Sequence, residues 1–496
     1  MFEWRFRITP GIIPLPFLET AFFAGWGRIP RLTQTTVRDD QLIIHTESYS
    51  SGTVHVPMMH PPLGVVIEAT ESLLGRREPY CLVRELARGS LGRFYRRLFD
   101  WQMLGYHQPD EHKERVNRLA KRFSTQIIHA SFSQEAEQEF AAIMDELALL
   151  ILDENREFAE QSLSWRMRND ERLSITLGVG IDERHMETLH GFDHFAQLLQ
   201  DSFHVVLPMP SWRELEPQPG QFDWERLEKQ LLLPSRFGFQ TVLGPLLSFS
   251  ADALPDWLLP HLSEEGHFES RTTRFVNAMA ERYGYLANGW ILANKFVDQA
   301  LPAMPPDRAL VLIRMLAQQL RSRGIETPLM VGITQPWGEY ALQRVPDWEQ
   351  VQIAEVLMGC RDIDAFLLEI NFGSGEHQTL PRGPLCIGNM IDQWSYLGKK
   401  IYVSLSVPSA GNPITTKSEL APDTQWSEER QRIWTETLLS TFLGKRTVRG
   451  IFWSCLQDAA VTSHAGTGID YGLINAQRVL KSAFKHFSVA RKNLLR

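Results

Sequence analysis

The sequence predicts an α/β protein: a (β/α)8 barrel over residues 171–496, preceded by a β-rich and helical N-terminal domain over residues 1–170. Three observations lead there. From residue 175 onward, eight short and continuously apolar runs recur, as expected of parallel strands buried on both faces. Helical patterns fill the stretches between them, and that alternation is the mark of parallel βα units. The first 75 residues carry period-two patterns and turns instead, after which the period becomes helical.

In chain order, Gln41–His45 and Thr53–Pro57 read as half-buried strands, and Gly64–Ala69 as a third. Leu82–Trp101 spaces its apolar residues three and four apart, as an amphipathic helix does, with Gly89 and Gly92 either weakening it or allowing close packing. A long helix is predicted over Gln134–Arg168, with Phe140, Ile143, Met144, Leu147 and Leu150 on its apolar face. Ser133 or Ser131 is placed to cap its start. The barrel strands are predicted at Ile175–Gly180, Phe203–Pro208, Thr241–Leu246, Gly289–Ala293, Leu329–Ile333, Ala365–Ile370, Ile401–Ser404 and Gly450–Trp453. Helical patterns separate them, as at Ala309–Leu320.

Bulk composition narrows the function classes. With 496 residues and 43% hydrophobic content, core size is not limiting. The net charge of −8 comes from acids and bases mixed along the chain, which argues against nucleic acid or an anionic membrane surface as partner. Cys81, Cys360, Cys386 and Cys455 are scattered and read as thiols. No apolar run reaches the roughly 18 residues of a membrane span. Prolines interrupt Ile12–Phe17, so no signal-peptide core is seen and a cytoplasmic chain is expected. No metal-ligand spacing, phosphate loop or Ser/His/Asp motif stands out, so no metal or cofactor is expected.

Chemistry on such a barrel belongs at the C-terminal strand ends. The fourth strand ends Trp290-Ile291-Leu292-Ala293-Asn294-Lys295, and the seventh runs Ile401-Tyr402-Val403-Ser404-Leu405-Ser406. After the second comes Ser211-Trp212 with Glu216-Pro217, Gly220, Phe222 and Trp224, and the eighth ends Gly450-Ile451-Phe452-Trp453. In order and spacing, residues from about 175 to 490 resemble glycoside hydrolase family 10, the (β/α)8 xylanases. That family reads W-D-V-V-N-E at its fourth strand and I-T-E at its seventh. The resemblance therefore implies a catalytic acid and a nucleophile, two carboxyl groups about 5–5.5 Å apart in a retaining enzyme. Lys295 and Leu405 stand at those two positions.

Other positions depart as well. Ser211 replaces the family's sugar-gripping lysine, Gly244–Ser250 lacks its two histidines and tryptophan, and Glu369-Ile370-Asn371 stands for its Q-x-H. The resemblance implies a barrel that has lost catalysis and binds a carbohydrate or serves as a scaffold, with a protein partner or a second copy of itself. Trp212, Asn294, Glu369, Asn371 and Trp453 are the expected substrate-binding residues, each tryptophan weighed against simple core packing. The alternative is an active O-glycosyl hydrolase with relocated carboxylates, Glu369 acting with Asp458 or Asp298. Lys295 is expected to pair with a carboxylate, Glu369 or Asp298, because a lone cation at a barrel centre is costly.

Overall fold

Period-two burial builds two small sheets at the start of the chain. β1 (Phe2–Arg7) pairs antiparallel with β4 (Gln41–Thr46), burying Trp4 and Phe6 beside Leu42 and Ile44. With β3 (Thr33–Arg38) and β8 (Tyr80–Cys81) the order is β3-β4-β1-β8. The second sheet joins β2 (Phe22–Ala24), β5 (Ser51–His60), β6 (Gly64–Ala69) and β7 (Leu73–Leu74), its centre an antiparallel β5–β6 ladder from His55↔Ala69 to His60↔Gly64. In this computed structural model the described residues are 2–25, 28–47, 51–129, 133–169, 173–182, 193–208, 210–264, 266–298, 301, 304–346, 348–373, 378–416, 418–458 and 470–494.

Three helices follow the sheets: Leu82–Met103, Asp110–His129 and Gln134–Arg168. Ser133 caps the third by accepting from Ala136 N at 3.2 Å, the role its sequence position suggests. The middle helix was not among the sequence expectations; its buried stripe is as narrow as Val116 and Leu119 in a largely charged segment. Sheets and helices share a core of Phe6, Phe17, Phe23, Val54, Leu86, Phe94, Phe140 and Leu147, joined by Leu385 and Ile414 from the later chain.

The later chain closes into a parallel barrel. Its strands are β9 (Thr176–Ile181), β10 (Val205–Pro208), β11 (Gln240–Leu243), β12 (Leu247–Ser248), β13 (Gly289–Asn294), β14 (Leu329–Thr334), β15 (Ala365–Asn371), β16 (Lys400–Ser406) and β17 (Val448–Trp453). β17 pairs with β9 to close the ring, and β11 and β12 both pair with β13. The nine segments thus make eight staves, as the sequence predicts, with the third stave split. The split falls at Gly244, whose φ of +124° and 2.3 Å gap between an added Cβ and Ile291 O exclude a side chain. Where the sequence predicted one strand over Thr241–Leu246, this close approach breaks it in two.

Two apolar layers flank the staves. Leu177, Val179, Trp290, Leu292, Val331, Ile333, Leu368, Ile370, Val403 and Leu405 pack outward with the surrounding helices, together with Leu63, Val66 and Leu163 from the N-terminal region. A separate cluster of Val205, Leu207, Val242, Ile291, Met330, Ala365, Leu367 and Phe452, with Tyr402 against it, fills the barrel interior. The N-terminal sheets reach the C-terminal rim: Ile67 N donates to Pro381 O at 2.7 Å, and Arg31 pairs with Glu349 at 2.6 Å. Among the described residues no helix is long and apolar enough to cross a membrane.

Candidate functional site

Strand parity decides which residues face the barrel interior. Side chains alternate along a strand, so the interior set Ala365 and Leu367 continues to Glu369 and Asn371. Register then carries the same face to β16, where Glu369 lies opposite Ser404 and Asn371 opposite Ser406. The Ser406 hydroxyl donates to Asn371 Oδ1 at 2.8 Å, which fixes the outermost of these pairs. Leu405 lies opposite Ile370 and Trp453, and all three belong to the outer layer. The residue expected at the nucleophile position therefore points into the helices, 1% exposed. The interior positions on either side of it are serines. A signal for this was present in the sequence, since Tyr402, Ser404 and Ser406 alternate with Val403 and Leu405.

At the fourth strand end, Asn294 Nδ2 donates to Glu369 Oε1 at 2.9 Å. These side chains come from β13 and β15, and β14 runs between them. They meet because β14 has Gly332 at that level: an added Cβ would lie 2.7 Å from both Asn294 Cβ and Glu369 Oε1. Glu369 is 8% exposed and is the only carboxylate in the described barrel strands.

Lys295 leaves the strand with φ of +57°, and Gln335 leaves β14 with φ of +50°. Two adjacent strand ends thus hold non-glycine residues in the left-handed region, at a cost of about 1 kcal/mol or more each. Lys295 N donates to Thr334 Oγ1 at 3.1 Å, and its ammonium contacts Ser250 Oγ at 3.5 Å. Ser250 in turn bonds Asp252. The expected pairing of Lys295 with Glu369 or Asp298 is not what forms: among the described residues no carboxylate lies within ion-pair distance of its ammonium. The left-handed turn at Lys295 sets the Asn294 amide against Glu369 instead, and the half-buried ammonium meets a hydroxyl. Asp298 is buried, and its carbonyl accepts from Arg344.

The remaining expected residues sit elsewhere. Trp212 is 2% exposed, stacked on Phe275 with centroids 4.7 Å apart, and its indole N–H donates to Glu216 Oε2 at 2.8 Å. Trp453 is fully buried, with its N–H on Tyr471 O at 2.9 Å and its ring edge-on to Phe487. Asp458 pairs with Lys481 at 2.6 Å and accepts from Gly472 N at 2.7 Å. Burial pushes its carboxyl above the usual range, against the pull of Lys481.

Outside the strands, a cavity of about 250 Å³ opens beside Gln335 and runs past Gly373 and Gln378, roofed by Thr20, Pro57 and Ile67 of the N-terminal region. Its wall includes Glu339, which forms a buried ion pair with Arg382. The Arg382 guanidinium also lies over the Trp337 ring, 4.6 Å from its centroid. Thr334, Gln335, Ser250, Ser404 and Ser406 are polar residues near these strand ends to which the sequence reading assigned no binding role.

No family model matches the chain, nor does any curated protein. Among solved structures the chain is similar to xylanase 10B from Thermotoga petrophila RKU-1 in complex with xylobiose, at a TM-score of 0.50 and 12% identity over 69% of this chain and 98% of that one. It is similar as well to native xylanase 10B from Thermotoga maritima, at a TM-score of 0.50 and 12% identity over 68% of this chain and 98% of that one. At such identity the likeness is one of fold, and the fold is the (β/α)8 barrel that the strand-end resemblance implies.

Proposed function

We propose that the barrel mouth binds a carbohydrate without hydrolysing it. One observation carries this reading: Glu369 is the only carboxylate in the described barrel strands, and the Asn294 amide occupies its Oε1. Glycoside hydrolysis by either stereochemical route uses two carboxyl groups, one to protonate the leaving oxygen and one to attack or to activate water. Of the two alternative partners for Glu369, Asp458 and Asp298, the first is tied to Lys481, which weighs against that pairing. What the interior rim offers is Asn294, Thr334, Asn371, Ser404 and Ser406, amides and hydroxyls that can both donate to and accept from sugar hydroxyls, and the Glu369 carboxylate, which accepts from them.

Xylobiose, the ligand in the similar Thermotoga petrophila structure, is the first probe. Calorimetric titration of the full chain with xylobiose and longer xylo-oligosaccharides should give saturable binding that Asn294→Ala and Asn371→Ala weaken. Aryl xylosides should be cleaved no faster than in buffer. Turnover that Glu369→Gln abolishes would sink the non-hydrolytic reading, and a glycan array with no hit would sink carbohydrate binding altogether.

A further inference from the structure

The loop entering the helix His267–Tyr283 carries His261, Glu264 and His267, three apart and three apart again. We propose that these three side chains form a binding site for a divalent transition-metal ion, with zinc the best fit. Neither the barrel-mouth chemistry nor the resemblance to xylanases draws on it.

The geometry is specific. His261 Nδ1 lies 2.6 Å from Glu264 Oε1, and His267 Nδ1 lies 3.8 Å from Glu264 Oε2. One donor atom from each residue falls within 4.8 Å of the others. Tetrahedral zinc with bonds of about 2.0–2.2 Å holds its ligand atoms roughly 3.4 Å apart, so closing the triad on an ion takes a movement of about an ångström. The carboxylate and one imidazole are already in contact, and the two rings lie 4.9 Å apart.

Glu264 is exposed and the two histidines half-buried, and their backbone is anchored. Leu262 and Phe268, next to the two histidines, are buried in the barrel's outer layer. Arg308 clamps the loop from behind, donating to Leu262 O at 2.7 Å and to Glu264 O at 3.5 Å. A cation so close would oppose a metal ion, yet its Nε pairs with Glu269 at 2.8 Å, which offsets that charge. Backbone held by buried neighbours and an outer partner is what orients first-contact ligands. Three ligands within seven residues also cost little loop entropy on binding.

Two imidazole nitrogens and one carboxylate suit zinc, whereas calcium and magnesium take oxygen ligands. Three protein ligands leave the fourth position open to solvent. The sequence reading found no metal-ligand spacing because His-x-x-Glu-x-x-His is not the i, i+4 pattern of a helical site; here a turn brings the three together.

The test uses the full chain stripped with a chelator and titrated with zinc by calorimetry. One ion should bind per chain in the micromolar range or tighter. His261→Ala and His267→Ala should each weaken it by more than about tenfold, the lower bound for loss of even an outer-shell partner. Binding should weaken in acid, because protons compete with a metal ion for its ligands. Since these side chains are 42% and 32% exposed, both variants should keep the wild-type circular dichroism. As a check independent of substitution, cobalt added to the wild-type chain should give the visible absorption of a four-coordinate ion. Zinc affinity unchanged in both histidine variants, or no binding by the wild-type chain, would overturn the proposal.

Discussion

Asn294 and Glu369 join hands across an intervening strand: their 2.9 Å hydrogen bond passes over β14 at Gly332. Neighbouring strands lie about 4.8 Å apart, and here the strand between the two offers no side chain at the level where they meet. The glycine is thus as much a part of the candidate site as the two polar residues it admits.

Gly332→Ala should therefore disrupt the pair. The new methyl would sit 2.7 Å from both Asn294 Cβ and Glu369 Oε1, and something must move. Overpacking of this kind costs about 1–3 kcal/mol. Chemical denaturation should show that loss, and xylo-oligosaccharide binding should fall with it. A variant as stable and as competent as the wild type would mean that the bond across the strand is dispensable.

Leu405 and Ser404 should respond in opposite ways to the same change. Leu405→Ala opens a hole in the outer layer beside Ile370 and Trp453 and should cost about 2–5 kcal/mol. Ser404→Ala, on the interior face, should change stability by less than about 1 kcal/mol. Ser404→Glu would place a second carboxylate opposite Glu369. The pair would then hold one proton above the ordinary carboxylate range, so the folded state binds protons more readily than the unfolded one. Stability relative to wild type should be highest at low pH and decline as pH rises. A pH-independent difference in denaturation midpoint would contradict the facing derived from strand register.

Glu339→Ala should be among the more damaging single changes near the cavity. It leaves the Arg382 guanidinium, 2% exposed, without its carboxylate. Breaking one half of a buried pair typically costs about 3–5 kcal/mol. Replacing both residues with apolar ones should recover much of that loss, a comparison that urea denaturation of the single and double variants can make.

His55 supplies a pH dependence with a definite sign. Burial first, then the nearby Arg382, Arg93 and Arg28, hold its imidazole well below the ordinary histidine value of 6.5. Below that value the unfolded chain takes up a proton that the folded chain refuses, so acidification through pH 6.5 favours unfolding. The ring stacks on Phe22 with centroids 4.8 Å apart and bonds Thr53 Oγ1 at 3.0 Å. His55→Gln keeps a hydrogen-bonding group while removing the titration. Stability curves from pH 7 down to 5 should be shallower for the variant than for the wild type. Parallel curves would exclude His55 as a source of the acid sensitivity.

The barrel was legible because both-face burial writes strands as apolar runs, and seven of eight predicted runs match observed strands to within about two residues, the usual boundary uncertainty. The third broke at Gly244, where a tertiary contact with Ile291 overrides local pattern. Facing was harder. Matching a short motif at β16 put Leu405 at the mouth, whereas the two-residue alternation of serines and aliphatics beside it carries the correct facing. The partner of Lys295 was not legible, because a left-handed φ at a lysine follows from no local sequence preference. The helix Asp110–His129 was missed although Val116, Leu119, Phe123 and Ile127 stand three and four apart, the spacing of an amphipathic face, because charged residues outnumber them along the segment.

Leu385 and Ile414 are built into the N-terminal core, and Leu63, Val66 and Leu163 into the layer around the barrel. Each region thus completes its interior with side chains borrowed from the other. Neither can melt without stripping apolar surface from its neighbour, so heating should reveal one cooperative transition, with calorimetric and van't Hoff enthalpies in agreement. A barrel expressed without the first 170 residues would expose that borrowed surface and should aggregate rather than persist as a monomer.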